Sequence, residues 1–279
     1  MRSHIRAHSP GAVCATTALT ALLILAWPGA DARGQVGGKE LTAKEIATRA
    51  DRARRSSSEH NVMTMVLENH RGQQRVRTLE GWSREVSEEE DQRFSRFLEP
   101  SDVRDTTLLT YDYVHKDDSI WLYLPALKKV KRILSSNKKD YFMGSDFTYE
   151  DMENADLINW DFTLKGKEKV DGVDCYIVEA VPNNPGEAKE TAYSKTVSWV
   201  GTQDFLARRA DYYDKKGRLA KKFKTDDIHA TSGGDRRLRA HKITMENLIT
   251  RHKTILTFHT LELDIKVNDE IFSQRSLRQ

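Results

Sequence analysis

Cysteine is almost missing from this chain of 279 residues: only Cys14 and Cys175 occur, and Cys14 lies in a segment that reads as removable. A single remaining thiol excludes an intramolecular disulfide, so stability has to come from a buried core. Long apolar runs are scarce as well. The one at residues 12–27 is short for a bilayer span of about 20 residues, and no later stretch is long enough. Charge of one sign is not in excess: the net charge is +3 with 31% charged residues of both signs, which argues against nucleic acid as a partner. Chemistry-bearing motifs are absent too. There is no phosphate loop ending in Lys-Ser/Thr, no G-x-G-x-x-G, no H-E-x-x-H, no C-x-x-C and no G-x-S-x-G. The later histidines, His60, His70, His115, His229, His241, His252 and His259, are scattered without a ligand spacing and read as surface or turn residues. No catalytic, cofactor-binding or metal residue is therefore assigned, and the expectation is a protein that is not an enzyme.

What is present begins with an address. Arg2, His4 and Arg6 make a basic start, residues 12–27 are apolar, and Ala30-Asp31-Ala32 supplies the small residues a signal peptidase needs. The reading is a signal peptide at 1–32 cleaved after Ala32, a Gly-rich flexible leader at 33–40, and one domain at 41–279. About 247 residues remain, enough for a single all-β or α+β domain with a substantial core.

Thr42-Ala43-Lys44-Glu45 fits a capping box, and Ala43, Ile46, Ala47, Ala50 and Ala53 recur at helical spacing, predicting a helix that ends by Ser58. Extended patterns then follow one another at 60–69, 74–86, 93–98, 107–114, 120–124, 129–134, 157–165, 173–181, 194–200, 205–213, 219–225, 237–245 and 253–267. Turn residues such as Asp171-Gly172, Asn183-Asn184-Pro185-Gly186 and Lys216-Gly217 separate them, which predicts an antiparallel meander. Short helices are expected at 99–102 and 147–154. A sheet of so many strands has to curl strongly or close.

The most distinctive stretch is 117–151. An apolar strand, a turn at Pro125 and a basic strand make a hairpin, followed by a loop carrying Phe142, Met143, Phe147 and Tyr149, too apolar to be only a linker. Lys128, Lys129, Lys131, Arg132, Lys138 and Lys139 read either as a solvated hairpin face or as a docking patch for anionic lipid head groups or an acidic partner. Asp117-Asp118, and Asp146 with Glu150 and Asp151, read either as ligands for a hard cation or as paired carboxylates, while Asp146 and Glu150 also fit helix-cap and first-turn positions.

Four segments, FLEPSDV at 97–103, DDSIWLYLPALKKVKRI at 117–133, FMGSDFTYED at 142–151 and EIFSQR at 270–275, resemble the longer, extended branch of the LolA-like outer-membrane lipoprotein-sorting proteins. The resemblance implies an α+β fold: a strongly curved antiparallel β-sheet, an unclosed half-barrel whose apolar concave face is lidded by helices. It also implies a periplasmic carrier of lipid or lipidated protein, without a cofactor, that works with an inner-membrane RND-type transporter. On that reading Met63, Met65, Trp82, Trp160, Phe162, Trp199 and Phe258 line the trough, and the N-terminal helix with the 142–149 loop forms the lid. The alternative is an envelope accessory protein with a filled core that docks on such a transporter. A hydrolase or metal enzyme built on the loop acids is the remaining rival.

Overall fold

Each extended segment is ended by residues that turn the chain back, so strands pair with their sequence neighbours. The computed structural model describes residues 40–134, 137–153, 157–231 and 236–279. The signal-peptide and leader readings at 1–39 lie outside the described residues. Leu41–Gln279 forms one unit. Its strands are β1 (Ser58–Glu68), β2 (Gln74–Ser87), β3 (Glu90–Glu99), β4 (Thr107–Tyr113), β5 (Ser119–Leu124), β6 (Lys129–Ile133), β7 (Trp160–Val170), β8 (Val173–Pro182), β9 (Tyr193–Gly201), β10 (Ala207–Asp214), β11 (Leu219–Ala230), β12 (Leu238–Asn247) and β13 (His252–Leu263). They form one 13-stranded antiparallel sheet in the order β6-β5-β4-β3-β2-β1-β13-β12-β11-β10-β9-β8-β7. Two meanders are thus joined at a seam between β1 and β13. The edges β6 and β7 do not pair with each other, and the sheet is the expected curved, unclosed barrel.

Helix α1 (Ala43–Arg54) has the expected capping box: Thr42 Oγ1 accepts from the Glu45 amide, and the Glu45 carboxylate accepts from the Thr42 amide at 2.8 Å. One local expectation is corrected and one narrowed. Residues 99–102 start a turn, with the Val103 amide donating to the Pro100 carbonyl at 3.1 Å, and the described residues of 147–154 hold a short 3₁₀ helix at Glu150–Met152. Conversely, the turn expected at 183–186 opens a short helix, α2 (Pro185–Glu190), because Asn184 caps the Glu187 amide and Pro185 takes the first helical position.

Residues directly opposite in neighbouring strands share a face, so the register traces the faces across the sheet. One row runs Leu67–Thr254–Met245–Phe223–Ala210–Ser198–Val178–Leu164 from β1 to β7. Toward β6 the same face continues through Met63–Leu79–Phe97 and Leu108–Leu122. This is the concave face. Helix α1 covers its β7–β9 end, with Ile46 fully buried against Val178, Val200, Phe162 and Leu164. The segment at 140–153 covers its other end, with Phe142 fully buried among Met65, Phe97, Leu108 and Tyr149. On the convex face the C-terminal 3₁₀ turns set Phe272 and Leu277 against Phe94 and Leu109.

Candidate functional site

The apolar loop after β6 is a fixed cover. Its own turn is closed by the Phe142 amide donating to the Phe147 carbonyl at 2.8 Å, with Met143 and Gly144 both at positive φ. The Phe142 ring packs 5.8 Å from Phe97 and 5.7 Å from Tyr149. Polar staples reach both meanders: Arg77 on β2 donates to the Met143 carbonyl at 2.7 Å, and those that follow lie on the second meander. The Asp146 amide donates to Thr254 Oγ1 at 2.9 Å, and its carboxylate meets Thr254 Oγ1 and His252 Nδ1, each at 2.7 Å. Asp151 lies 3.1 Å from Lys221 Nζ and accepts from the Tyr193 hydroxyl at 2.8 Å. Glu150 accepts from Thr191 and from the Ala192 amide. Burial raises the Glu150 carboxyl and, together with Asp151, the Tyr193 hydroxyl above their ordinary values. The three acids weighed as caps or cation ligands each have partners far along the chain, Asp146 and Asp151 on strands and Glu150 just before β9, and these contacts pin the loop.

Lys138 stands apart from the exposed basic group. It is mostly buried, paired with Asp118 and with Glu153 at 2.8 Å. Burial opposes its charge, but Glu153 once ionised and the Asp118 carboxylate outweigh that and raise its pKa. Among the described residues Asp112, Asp118 and Glu153 form the acidic group close enough to hold a cation, and the Lys138 ammonium supplies one. Burial pushes Glu153 up to about 8, with Asp118 and Asp112 adding to it against the pull of Lys138. Lys128, Lys129, Lys131, Arg132 and Lys139 are exposed.

A second feature arises where strand pairing stops. β12 pairs with β13 only from Lys242–Thr257 to Asn247–His252, yet stays on β11 as far as Leu238, while β13 stays on β1 as far as Leu263. The sheet therefore forks. Between the diverging ends lies a cavity of about 620 Å³, walled by Phe258 and Leu261 on one side and His229 and His241 on the other, with Asp227, Arg236 and His259 also lining it. The two imidazoles stack at 3.5 Å between centroids. Each Nδ1 faces a carbonyl at 3.1 Å, of Ala230 and of Arg239, so each Nδ1 carries the proton. Parallel stacking keeps both rings from aiming at one metal ion.

The fork and the helix are tied together. Arg239 donates to the Ala53, Arg54 and Arg55 carbonyls at 2.7, 3.1 and 3.2 Å, satisfying the C-terminal carbonyls of α1. Arg237 donates to the Arg55 carbonyl at 2.7 Å and pairs with Asp264 at 2.5 Å, spanning from β12 to the end of β13. Neither arginine was singled out in the sequence, where they read as ordinary surface charge.

The expected lining residues are divided among five places. Met63 and Met65 lie under the loop, Phe162 lies under α1, Trp160 is half-buried on the concave face at the start of β7, and Phe258 lines the cavity. Trp82 and Trp199 are corrected: both are on the convex face. Trp82 packs with Phe94 and stacks on His60, and Trp199 donates its indole N–H to Glu168 at 2.7 Å beneath the Arg209 guanidinium. Both faces of these strands carry large apolar groups, so alternation alone could not choose between them. The expected lid residues Phe142, Phe147 and Tyr149 are buried and Met143 half-buried.

A protein-family model described as "uncharacterized protein" matches residues 89–279. Among solved structures, a DUF1329 family protein from Desulfovibrio piger is 32% identical with a TM-score of 0.78, over 84% of this chain and 97% of that one. A domain from Vibrio parahaemolyticus described as an outer membrane lipoprotein-sorting protein is 30% identical with a TM-score of 0.78, over 85% and 98%. A LolA superfamily protein from Nitrosomonas europaea, 19% identical with a TM-score of 0.65 over 85% and 100%, shares the fold. No curated protein matches the chain.

Proposed function

The chain belongs to the DUF1329 family and has the LolA-like fold, and from that premise we propose that it is a periplasmic carrier. It takes acyl chains of a lipid or lipidated protein at the concave face and releases them toward the outer membrane. One observation carries the reading: the forked sheet leaves a cavity of about 620 Å³, a size typical of pockets that bury small ligands. Phe258 and Leu261 give an acyl chain an apolar wall, and His229, His241 and Arg236 give the polar end a place to stay solvated. Each methylene taken out of water contributes about 0.8 kcal/mol, so a tail enters spontaneously and leaves for a membrane without covalent chemistry. Because Arg237 and Arg239 tie the fork to α1, loading displaces the helix end and widens the trough toward Phe162 and Trp160.

Mass spectrometry of lipid extracted from freshly purified protein tests this. Phe258→Asp is expected to lower co-purified lipid at least tenfold, whereas Thr257→Asp, one residue away and facing the other side, leaves it unchanged. Equal lipid in both variants would remove the fork as the binding place. A second reading, an accessory protein docked on an inner-membrane RND-type transporter, is favoured by the tight filling beneath both covers, where Ile46 and Phe142 are fully buried. Wild-type protein that carries no lipid at all would select it.

A further inference from the structure

Both free edges of the sheet carry cations. β6 has Lys129, Lys131 and Arg132, and β7 has Lys165, Lys167 and Lys169. Charge on an edge strand discourages a second chain from pairing there, and that would account for both sets alike. Their surroundings differ. On β7 the neighbouring strand answers each charge: Lys165 lies 3.3 Å from Glu179, Lys169 lies 3.4 Å from Asp174, and Lys167 Nζ sits 5.2 Å from the Tyr176 ring centre. β5, which flanks β6, reads Ser-Ile-Trp-Leu-Tyr-Leu and holds no acid. Among the described residues Lys128, Lys129 and Lys131 form no ion pair, and Arg132 reaches only the Ser119 hydroxyl, at 3.4 Å. The nearby acids are engaged or distant: Asp118 is paired with Lys138, Asp140 with Asn137, and Asp117 sits at the opposite end of the hairpin from its tip.

Apolar side chains accompany these charges. Leu127 at the tip is 61% exposed and Leu134, just past β6, is 58% exposed. An acidic protein surface would satisfy the cations and leave both leucines in water. A lipid interface takes both, as it does with amphipathic basic segments.

We propose that the β5–β6 hairpin docks the protein on an anionic lipid leaflet, its cations against headgroup phosphates and Leu127 and Leu134 in the interfacial layer. This is separate from cargo binding and stands without it. The test is sedimentation of the full protein with mixed phosphatidylglycerol–phosphatidylcholine vesicles, against pure phosphatidylcholine. Each cation near such a surface is worth about fivefold in binding, so Lys129→Gln/Lys131→Gln/Arg132→Gln is expected to lose about 100-fold. Lys165→Gln/Lys167→Gln/Lys169→Gln, with the same change of net charge on the other edge, is expected to bind like wild type. Leu127→Ser weakens binding about tenfold. Raising salt from about 0.1 M to 1 M, which shortens the screening length from about 10 Å to 3 Å, releases the protein. Equal losses from the two edge variants, equal binding to pure phosphatidylcholine, or no binding to anionic vesicles while an acidic protein is captured would each overturn the proposal.

Discussion

The segment at 140–153 and helix α1 cover the same face of the same sheet and are held there by different means. The segment buries Phe142 completely and spends three carboxylates on partners in β13, β11 and β9 and in the stretch before β9. Helix α1 buries one large side chain, Ile46, beside the small Ala43, and its far end rests on guanidinium groups that reach its carbonyls. Removing a buried charge's partner costs several kcal/mol; at the helix end that applies to the buried Arg239, whereas the half-buried Arg237 can exchange its carbonyl partner for water. The loop is thus pinned through its carboxylates and the helix end through neutral carbonyls, so on the proposed carrier reading a bulky guest would meet less resistance at the helix.

Breaking the fixed cover has the largest expected effect. Phe142→Ala removes a ring with no exposed surface and should cost about 3–5 kcal/mol in urea unfolding, as a loss spread over the whole sheet. Ile46→Ala should cost about 2 kcal/mol, confined to the helix. Hydrogen exchange then quickens at 43–54 while 142–152 stays protected. Equal quickening in both segments would erase the distinction. The smallest effect concerns pH. Because the folded Glu153 carboxyl titrates at about 8 and an ordinary one near 4.5, the native state keeps a proton that the unfolded chain has already released between these values. Stability is therefore greatest below this window and falls as pH rises through it, by at most about 1.4 kcal/mol per unit. Glu153→Gln should flatten that slope in unfolding measured from pH 5 to 8.

Much of the architecture was legible because alternation and turn chemistry are local. Each strand expected from the pattern has a counterpart, and Thr42 with Glu45 marked the start of α1. The limits of β3 and β11 were drawn short because charged residues such as Glu90, Asp91, Asp226 and Asp227 lie inside those strands. The site was read less well, since a cavity made by two strands parting depends on where pairing ends. Nothing in the run around His241 distinguishes a paired backbone from a free one. Trp82 and Trp199, expected in the trough, each belong to the opposite face, where the ring meets a charged or aromatic neighbour.

The seam between β1 and β13 bears on how the chain is made. The first meander precedes His252–Leu263 along the chain, so β1, next to the middle strand of the finished sheet, has one side of its backbone bare until β13 joins it. Through that interval it is a ready template for a stranger's strand, and such distant pairing is slow to form. The last strand of the chain is therefore the one that closes off its most central exposed backbone edge.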